Sequence, residues 1–236
     1  MRFVALGIIT VCAVGCGSST EQTVQFRMDV IAFEPDSGDV PLEGVEVCVR
    51  DTDNCEMSDA AGFVTLTLPA NSEITLTVMK DGYTPTLSPQ LTTTEDVDEV
   101  RTALIDDATS QALAVFLGTP YPIVDGAIAI SALVEPLRQD DNGIAGIRYS
   151  TEGYDPYYLN ESGFPTFDLD ATTEPDGAGG FVELEPGVYE VAVGGEASNC
   201  EVASAWPGSS DDTIRVPAEA GFFTQAFIAC DPVSAP

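Results

Sequence analysis

Histidine is absent from the sequence and cations are scarce: Lys and Arg number 8 against 39 Asp and Glu, for a formal net charge of −31. Without histidine, the usual serine and cysteine nucleophiles with a histidine base cannot be assembled. The negative charge repels nucleic-acid phosphates, which excludes DNA and RNA as partners. Because the acids are scattered along the chain, they are typical of a solvated surface rather than of an acidic tail.

The sequence also lacks an apolar run of the length that spans a bilayer, about 20 helical residues. A shorter run, residues 3–15, is uncharged and follows the single positive charge of Arg2. A charged start and a short apolar stretch are the pattern of a secretory signal peptide. We therefore predict that Met1–Gly15 is a signal peptide that is removed on export.

The four residues Ala13-Val14-Gly15-Cys16 resemble the bacterial lipobox, with Ala13 standing where leucine is usual. The resemblance implies cleavage before Cys16 and acylation of Cys16, so that the partner is the membrane, reached through the lipid. Gly17-Ser18 follow the cysteine instead of aspartate, which resembles the sorting pattern of outer-membrane lipoproteins facing the periplasm or the cell surface. The alternative is an ordinary cleaved signal with a chance cysteine after it.

Four cysteines remain once Cys12 is removed with the signal and Cys16 carries lipid. An even number of cysteines in an exported chain implies disulfides, and three pairings are possible. We favour Cys48–Cys55 and Cys200–Cys230, because each pair then lies inside one proposed domain. A cysteine metal site is disfavoured, since the sequence has neither a CxxC motif nor a histidine.

Apolar and polar residues alternate in short segments separated by turn signals, a pattern typical of a β-sandwich or barrel. Four segments resemble the motifs of carboxypeptidase regulatory-like domains, although Ser58 stands where threonine is usual. They are residues 41–47, 58–63, 68–69 and 78–83. The resemblance implies a transthyretin-like, seven-stranded sandwich over residues 24–93. It implies no peptidase activity, because the zinc ligands of that family belong to a different domain.

The second half of the chain loosely repeats the first, with a long insertion at 150–172. Asp106-Asp107, then apolar residues three and four apart, then Gly118, predict a helix over 107–117. The predicted fold is therefore all-β, with two tandem seven-stranded-type sandwiches, transthyretin-like or immunoglobulin-like, joined by a short helix. The boundaries are 1–15 for the signal peptide, 16–23 for the lipidated tether, 24–105 for the first sandwich, 106–122 for the helical linker and 123–236 for the second sandwich.

Two groups of acids are candidates for binding Ca²⁺, because hard cations bind several carboxylate oxygens at once. They are Asp51, Asp53 and Asp59, with Glu56 among them, in one region and Asp168, Asp170 and Asp176 in another. Neither group has the EF-hand spacing, and solvated turn residues are the simpler interpretation. No other cofactor is expected.

The insertion carries Tyr154, Tyr157 and Tyr158 among carboxylates and amides. Exposed rings beside such groups suit sugar stacking and hydroxyl recognition, so these tyrosines are candidate glycan-binding residues. The alternative is that the rings pack the insertion down onto the sandwich. Trp206 is interpreted as a plug for the loop closed by Cys200–Cys230.

The sequence thus predicts a non-catalytic, lipid-anchored protein of the cell envelope. Its sandwiches would contact an envelope protein or a glycan, or would serve as a structural spacer. The alternative is a calcium-stabilised adhesin or carbohydrate-binding module. A hydrolase with two carboxylates is disfavoured, because among 39 acids no spacing marks a pair.

Overall fold

The computed structural model describes residues 22–33, 40–134, 143–174, 177–195 and 198–231. Within these ranges the chain forms eighteen β-strands and one α-helix, so the all-β prediction is confirmed. The signal peptide, Cys16 and nearly all of the tether lie outside the described residues, as does Asp176.

The first lobe is formed by β1 (Thr23–Ala32), β2 (Val40–Pro41), β3 (Glu46–Val49), β4 (Cys55–Met57), β5 (Phe63–Pro69), β6 (Glu73–Met79), β7 (Thr86–Leu91) and β8 (Val97–Leu104). The helix α1 (Asp107–Leu117) follows. The second lobe is formed by β9 (Gly126–Leu133), β10 (Ile147–Ser150), β11 (Tyr157–Leu159), β12 (Pro165–Thr166), β13 (Ala178–Leu184), β14 (Gly187–Gly195), β15 (Ser198–Ser204), β16 (Trp206–Pro207), β17 (Thr213–Ala218) and β18 (Phe223–Asp231).

Each lobe closes a sandwich around its own apolar core. In the first lobe, strict alternation along β1 turns Phe26, Met28 and Val30 inward, where they meet Leu66 of β5 and Leu76 of β6. The second core likewise forms from side chains that alternate along its strands. It contains Ile128, Tyr149, Phe181, Val216 and Ile228, from five different strands.

One sheet, which we call the central sheet, runs through both lobes. Its strand order is β12-β11-β13-β9-β18-β7-β6-β3-β4, with β15 also paired to β18. The strand that joins the lobes is β18, which pairs in parallel with β9 along most of its length. At its start β18 also pairs in parallel with β7, where Phe223 lies opposite Thr86 and Thr224 opposite Leu87. The two sandwiches therefore share a sheet instead of being connected by the helix alone.

The two smaller sheets cover opposite faces of the central sheet. Thr86 lies opposite both Val78 and Phe223, so these three side chains share the face that covers the first core. Ala226 and Ile228 differ in parity from Phe223 and belong to the second core. Since side chains alternate between faces along a strand, the central sheet covers one core with each face.

The helix prediction over 107–117 is confirmed in position and in both of its ends. Asp106 is the N-cap, and its side chain accepts hydrogen bonds from the backbone N–H groups of Ala108 and Thr109. Gly118 ends the helix in the left-handed conformation, with φ 69°. Among the described residues, no helix has the length and apolar character required to cross a membrane.

Both predicted disulfides are present. Cys48 and Cys55 lie opposite each other on β3 and β4, and Cys200 and Cys230 link β15 to β18. In each pair the Cα atoms are 4.0 Å apart. Each disulfide therefore links two neighbouring strands of the central sheet.

Candidate functional site

Asp51, Asp53 and Asp59, the first group of acids proposed to bind Ca²⁺, do not form a metal site. Asp59 orders the turn before β5, since its Oδ1 accepts hydrogen bonds from the backbone N–H groups of Ala61 at 2.9 Å and Phe63 at 3.0 Å. Asp51 lies beside Arg50, with 3.6 Å between Nε and Oδ1. Across the described parts of the chain, no group of three or more His, Cys, Asp or Glu side chains is arranged to hold a metal ion. The structure thus does not assemble Asp51, Asp53 and Asp59 into a cation site.

The glycan-binding prediction is wrong for Tyr157 and Tyr158. They are 4% and 1% exposed, so neither ring face can reach a sugar. Tyr157 donates its hydroxyl to the carbonyl of Ile128 at 3.3 Å, and burial raises its pKa well above the usual value. Tyr158 accepts a hydrogen bond from the backbone N–H of Tyr149 at 2.9 Å. The reason is that β11 pairs with β13 and extends the central sheet, instead of lying in an exposed loop.

Tyr154 is partly exposed and contacts Tyr189, whose ring centroid is 5.6 Å away in an edge-on arrangement. The hydroxyl of Tyr189 donates to the carbonyl of Glu185 at 2.7 Å and is also hydrogen-bonded to the hydroxyl of Tyr154 at 3.4 Å. Partial burial, then the hydrogen bond with Tyr154, raises the pKa of Tyr189 to about 12. Both hydroxyls are thus occupied within the protein.

Tyr189 also lines an open groove of about 560 Å³ on the outer face of β10 and β14. The other lining residues are Ser150, Thr151, Glu152, Val188, Glu190, Ala192 and Thr213. Glu190 is held by the hydroxyl of Ser209. The groove presents the carboxylates of Glu152 and Glu190 on a strand surface. The sequence did not single out Tyr189, because it alternates like any other residue of β14.

A buried polar seam joins the lobes along β7. Thr86, Ser88 and Gln90 lie on one face of this strand and are all buried. The side-chain amide of Gln90 donates to Ser88 and to Ser204 of the second lobe, at 2.8 Å in each case. Ser204 donates in turn to the carbonyl of Pro89 at 3.0 Å. These bonds fix β15 against β7.

Gln225 of β18 extends the seam to the edge strand β8. Its Oε1 accepts from the backbone N–H of Ala103 at 3.1 Å, and its Nε2 donates to the carbonyl of the same residue at 2.6 Å. One side-chain amide thus satisfies both backbone groups of Ala103, as a neighbouring strand would. The pairing fixes the smaller sheet of the first lobe relative to β18.

Trp206 is part of the contact between the lobes. Its indole N–H donates to the carbonyls of Ile74 at 3.3 Å and Gln90 at 3.1 Å, both in the first lobe. The side chain is buried, at 9% exposure. The interpretation of Trp206 as a plug for the Cys200–Cys230 loop is therefore corrected: it anchors the second lobe to the first.

Two ion pairs cross the same boundary. Arg215 pairs with Glu73, and Arg50 pairs with Glu219 while its guanidinium lies 5.2 Å from the ring centroid of Phe222. Both pairs are partly exposed, so each contributes about 0–1 kcal/mol. They contribute mainly to the relative orientation of the lobes. Two of the few cations of this chain are used at this boundary.

An exposed apolar patch lies where the end of α1 meets the segment around β12. We call Val115, Phe116, Phe164 and Phe167 the apolar patch; they are 75%, 53%, 44% and 46% exposed. The rings of Phe116 and Phe164 are in contact, with centroids 4.8 Å apart. Singly exposed apolar residues are ordinary, but a contiguous group is typical of an interaction site.

No family model matches the chain, and no curated protein matches it. The resemblances to lipoproteins and to carboxypeptidase regulatory-like domains therefore stay predictions.

Three similar solved structures are distant matches. The TIE protein of Bacillus anthracis is 13% identical with a TM-score of 0.28, over 89% of this chain and 34% of that one. The chain thus spans about a third of the length of the TIE protein. A minor pilin of Streptococcus agalactiae is 11% identical with a TM-score of 0.25, over 90% and 98% of the two chains. A shaft pilin of Lactobacillus rhamnosus GG is 10% identical with a TM-score of 0.27, over 91% and 99%. Likeness at this level carries no argument about function.

Proposed function

We propose that this chain is a non-catalytic, lipid-anchored protein of the cell envelope whose two sandwiches act as one rigid spacer. The observation that carries the proposal is the central sheet, which β18 makes continuous between the lobes. Tandem domains connected only by a linker are expected to move relative to each other. A shared sheet removes that freedom.

The buried seam supports the same conclusion on energetic grounds. Separating the lobes would break the bonds of Gln90, Gln225 and Trp206 at once. Each buried polar group left without a partner costs about 1–3 kcal/mol. Opening is therefore disfavoured, and the distance between the two ends of the molecule stays fixed.

The end of the spacer that lies near the anchor is the end at which the chain enters the first lobe. The carbonyl of Gln22 accepts from the N–H of Ala70 at 2.8 Å, and its side chain contacts the carbonyl of Thr94, just before β8. The helix α1 follows the other end of β8, an eight-residue strand that spans about 25 Å. In the lipid-anchored protein, α1 and the apolar patch would face away from the anchor.

Calorimetry tests the rigid unit. We expect the Cys16→Ser protein to unfold in one transition, because the lobes are coupled. Trp206→Ala should lower stability by about 3–5 kcal/mol and split the transition, since it removes a large buried side chain from the contact between lobes. Val188→Ser, on the exposed outer face of β14, is the matched control and should behave like the parent.

Two independently melting lobes in the parent protein would contradict the spacer. Anchoring is tested separately by fractionation. The wild-type chain should sediment with membranes and Cys16→Ser should be soluble, and a Cys16→Ser protein that remains in the membrane fraction would contradict the anchor.

A further inference from the structure

After its first residue, Asp107, the solvent-facing side of α1 carries no charge, which is unusual for a surface helix. Ala108, Ala112, Val115 and Phe116 recur at helical spacing and are exposed together with the uncharged Gln111, whereas Ala114 faces inward. Surface helices normally place charged residues on this side. Here no charged residue occurs from Ala108 to Val124. Charged residues keep the surface of such an acidic protein soluble. A helix face without them therefore requires an explanation other than solubility.

The second lobe extends this face into the apolar patch. Phe164 lies against Phe116, and Phe167 follows on the same segment. The two elements are held together by the contact between α1 and β12. The rings are therefore positioned before any partner arrives, which reduces the ordering cost of binding.

Charge around the patch indicates the partner. Neither segment that builds it contains a cation: Lys and Arg are absent from residues 102–137 and from residues 149–214. Exposed acids flank the patch in sequence, namely Asp107, Glu161 and Asp168. Like charges placed together cost free energy at an interface, so a second copy of this acidic chain and an anionic membrane are poor partners. A partner surface that presents apolar side chains between Lys or Arg residues is complementary to the apolar patch and to the acids around it.

We infer that the apolar patch is a docking site for a protein segment that presents an apolar ridge flanked by Lys or Arg residues. The patch residues are those already exposed, so docking requires no rearrangement of the lobes. The placement of this site at the end away from the membrane rests on the proposed function, whereas the docking itself does not.

The probes are three labelled synthetic peptides, titrated against the soluble Cys16→Ser protein by fluorescence anisotropy. The first is an amphipathic helical peptide of leucine and lysine, with the leucines on one side. The second has the same composition in scrambled order. The third replaces each lysine of the first with glutamate. We expect the first to bind at least tenfold more tightly than the second, and the third not to bind.

Phe116→Ser and Val115→Ser should each weaken the first peptide by fivefold or more. Val115 is highly exposed, so its variant keeps the test valid if Phe116→Ser disturbs packing with Phe164. Val188→Ser is the matched control, an exposed valine on another surface, and should leave binding unchanged. Circular dichroism spectra and melting temperatures of all variants should match the parent.

Equal binding of the ordered and scrambled peptides would overturn the proposal, because attraction would then be purely electrostatic. Patch variants that bind as tightly as the parent would also overturn it. So would a dimer in sedimentation velocity that Val115→Ser dissociates, since the occupant would be a second copy. These outcomes leave the calorimetric test of the spacer untouched, so the two proposals fail independently.

Discussion

Asp106 determines where the only helix of the described residues begins. Its Oδ1 accepts from the N–H groups of Ala108 and Thr109, and its Oδ2 accepts from the hydroxyl of Thr109 at 2.6 Å. These bonds, the one from the Thr109 hydroxyl above all, hold the pKa of Asp106 below its usual value of 3.8. The ionised form is therefore favoured in the folded protein.

Asp106→Ala should lower the free energy of unfolding at pH 7 by about 1 kcal/mol, the usual contribution of an N-cap. Because the folded-state pKa is lowered, this contribution is fully present above the unfolded-state pKa of about 4 and is lost as pH falls through the folded pKa. Urea titrations of the parent and of Asp106→Ala between pH 7 and pH 2.5 should show that the difference between their free energies of unfolding narrows in acid. A difference that stays constant would contradict the role of the carboxylate.

Gly180 lies on β13 opposite Ala129 of β9. A Cβ at this position would sit 1.9 Å from the carbonyl oxygen of Ile128, an atom fixed in the ladder between the two strands. Gly180→Ala should therefore destabilise the second lobe by about 1–3 kcal/mol or more, measured by urea unfolding. Gly187→Ala, whose Cβ would meet nothing closer than 3.9 Å, is the control and should have little effect.

At the scale of elements, β7 shows why alternation does not reveal which face is buried. Its residues alternate polar and apolar, a pattern typical of a strand with one face in water. The polar face, which contains Ser88 and Gln90, is instead buried at the junction of the lobes. The side-chain hydrogen bonds with Ser204 offset the loss of water.

The two disulfides should differ in their contribution to stability. They close loops with sequence separations of 7 and 30 residues. On the chain-entropy model they contribute about 2.5 and 3.7 kcal/mol respectively. Urea unfolding of the Cys48→Ala/Cys55→Ala and Cys200→Ala/Cys230→Ala double variants should show the larger loss in the second. The reverse order would mean that native packing, and not loop length, dominates.

At the scale of the whole molecule, repulsion among the negative charges opposes folding. A net charge of −31 repels itself in the folded state, and salt screens that repulsion. We expect the melting temperature of the soluble protein to rise by several degrees between 20 mM and 1 M NaCl. A melting temperature that falls over this range would mean that the ion pairs between lobes outweigh the general repulsion.

The shared central sheet turns two small cores into one unit, and neither its existence nor its position follows from local pattern. Trp206 and Ile74 are 132 residues apart in sequence, and Trp206 and Gln90 are 116 apart. No period or motif connects such residues.

By itself, the sequence determined the features that depend on neighbours along the chain. Alternation predicted the strands, Asp106 and Gly118 delimited the helix, and the even cysteine count pointed to two disulfides. The tertiary structure decided which surfaces meet: it buried Tyr157 and Tyr158, made Trp206 an anchor between lobes and left Phe116 exposed. The physical reason is that side-chain periodicity is local, whereas burial is settled by contacts between segments far apart along the chain, such as β11 with β13 and Trp206 with Gln90.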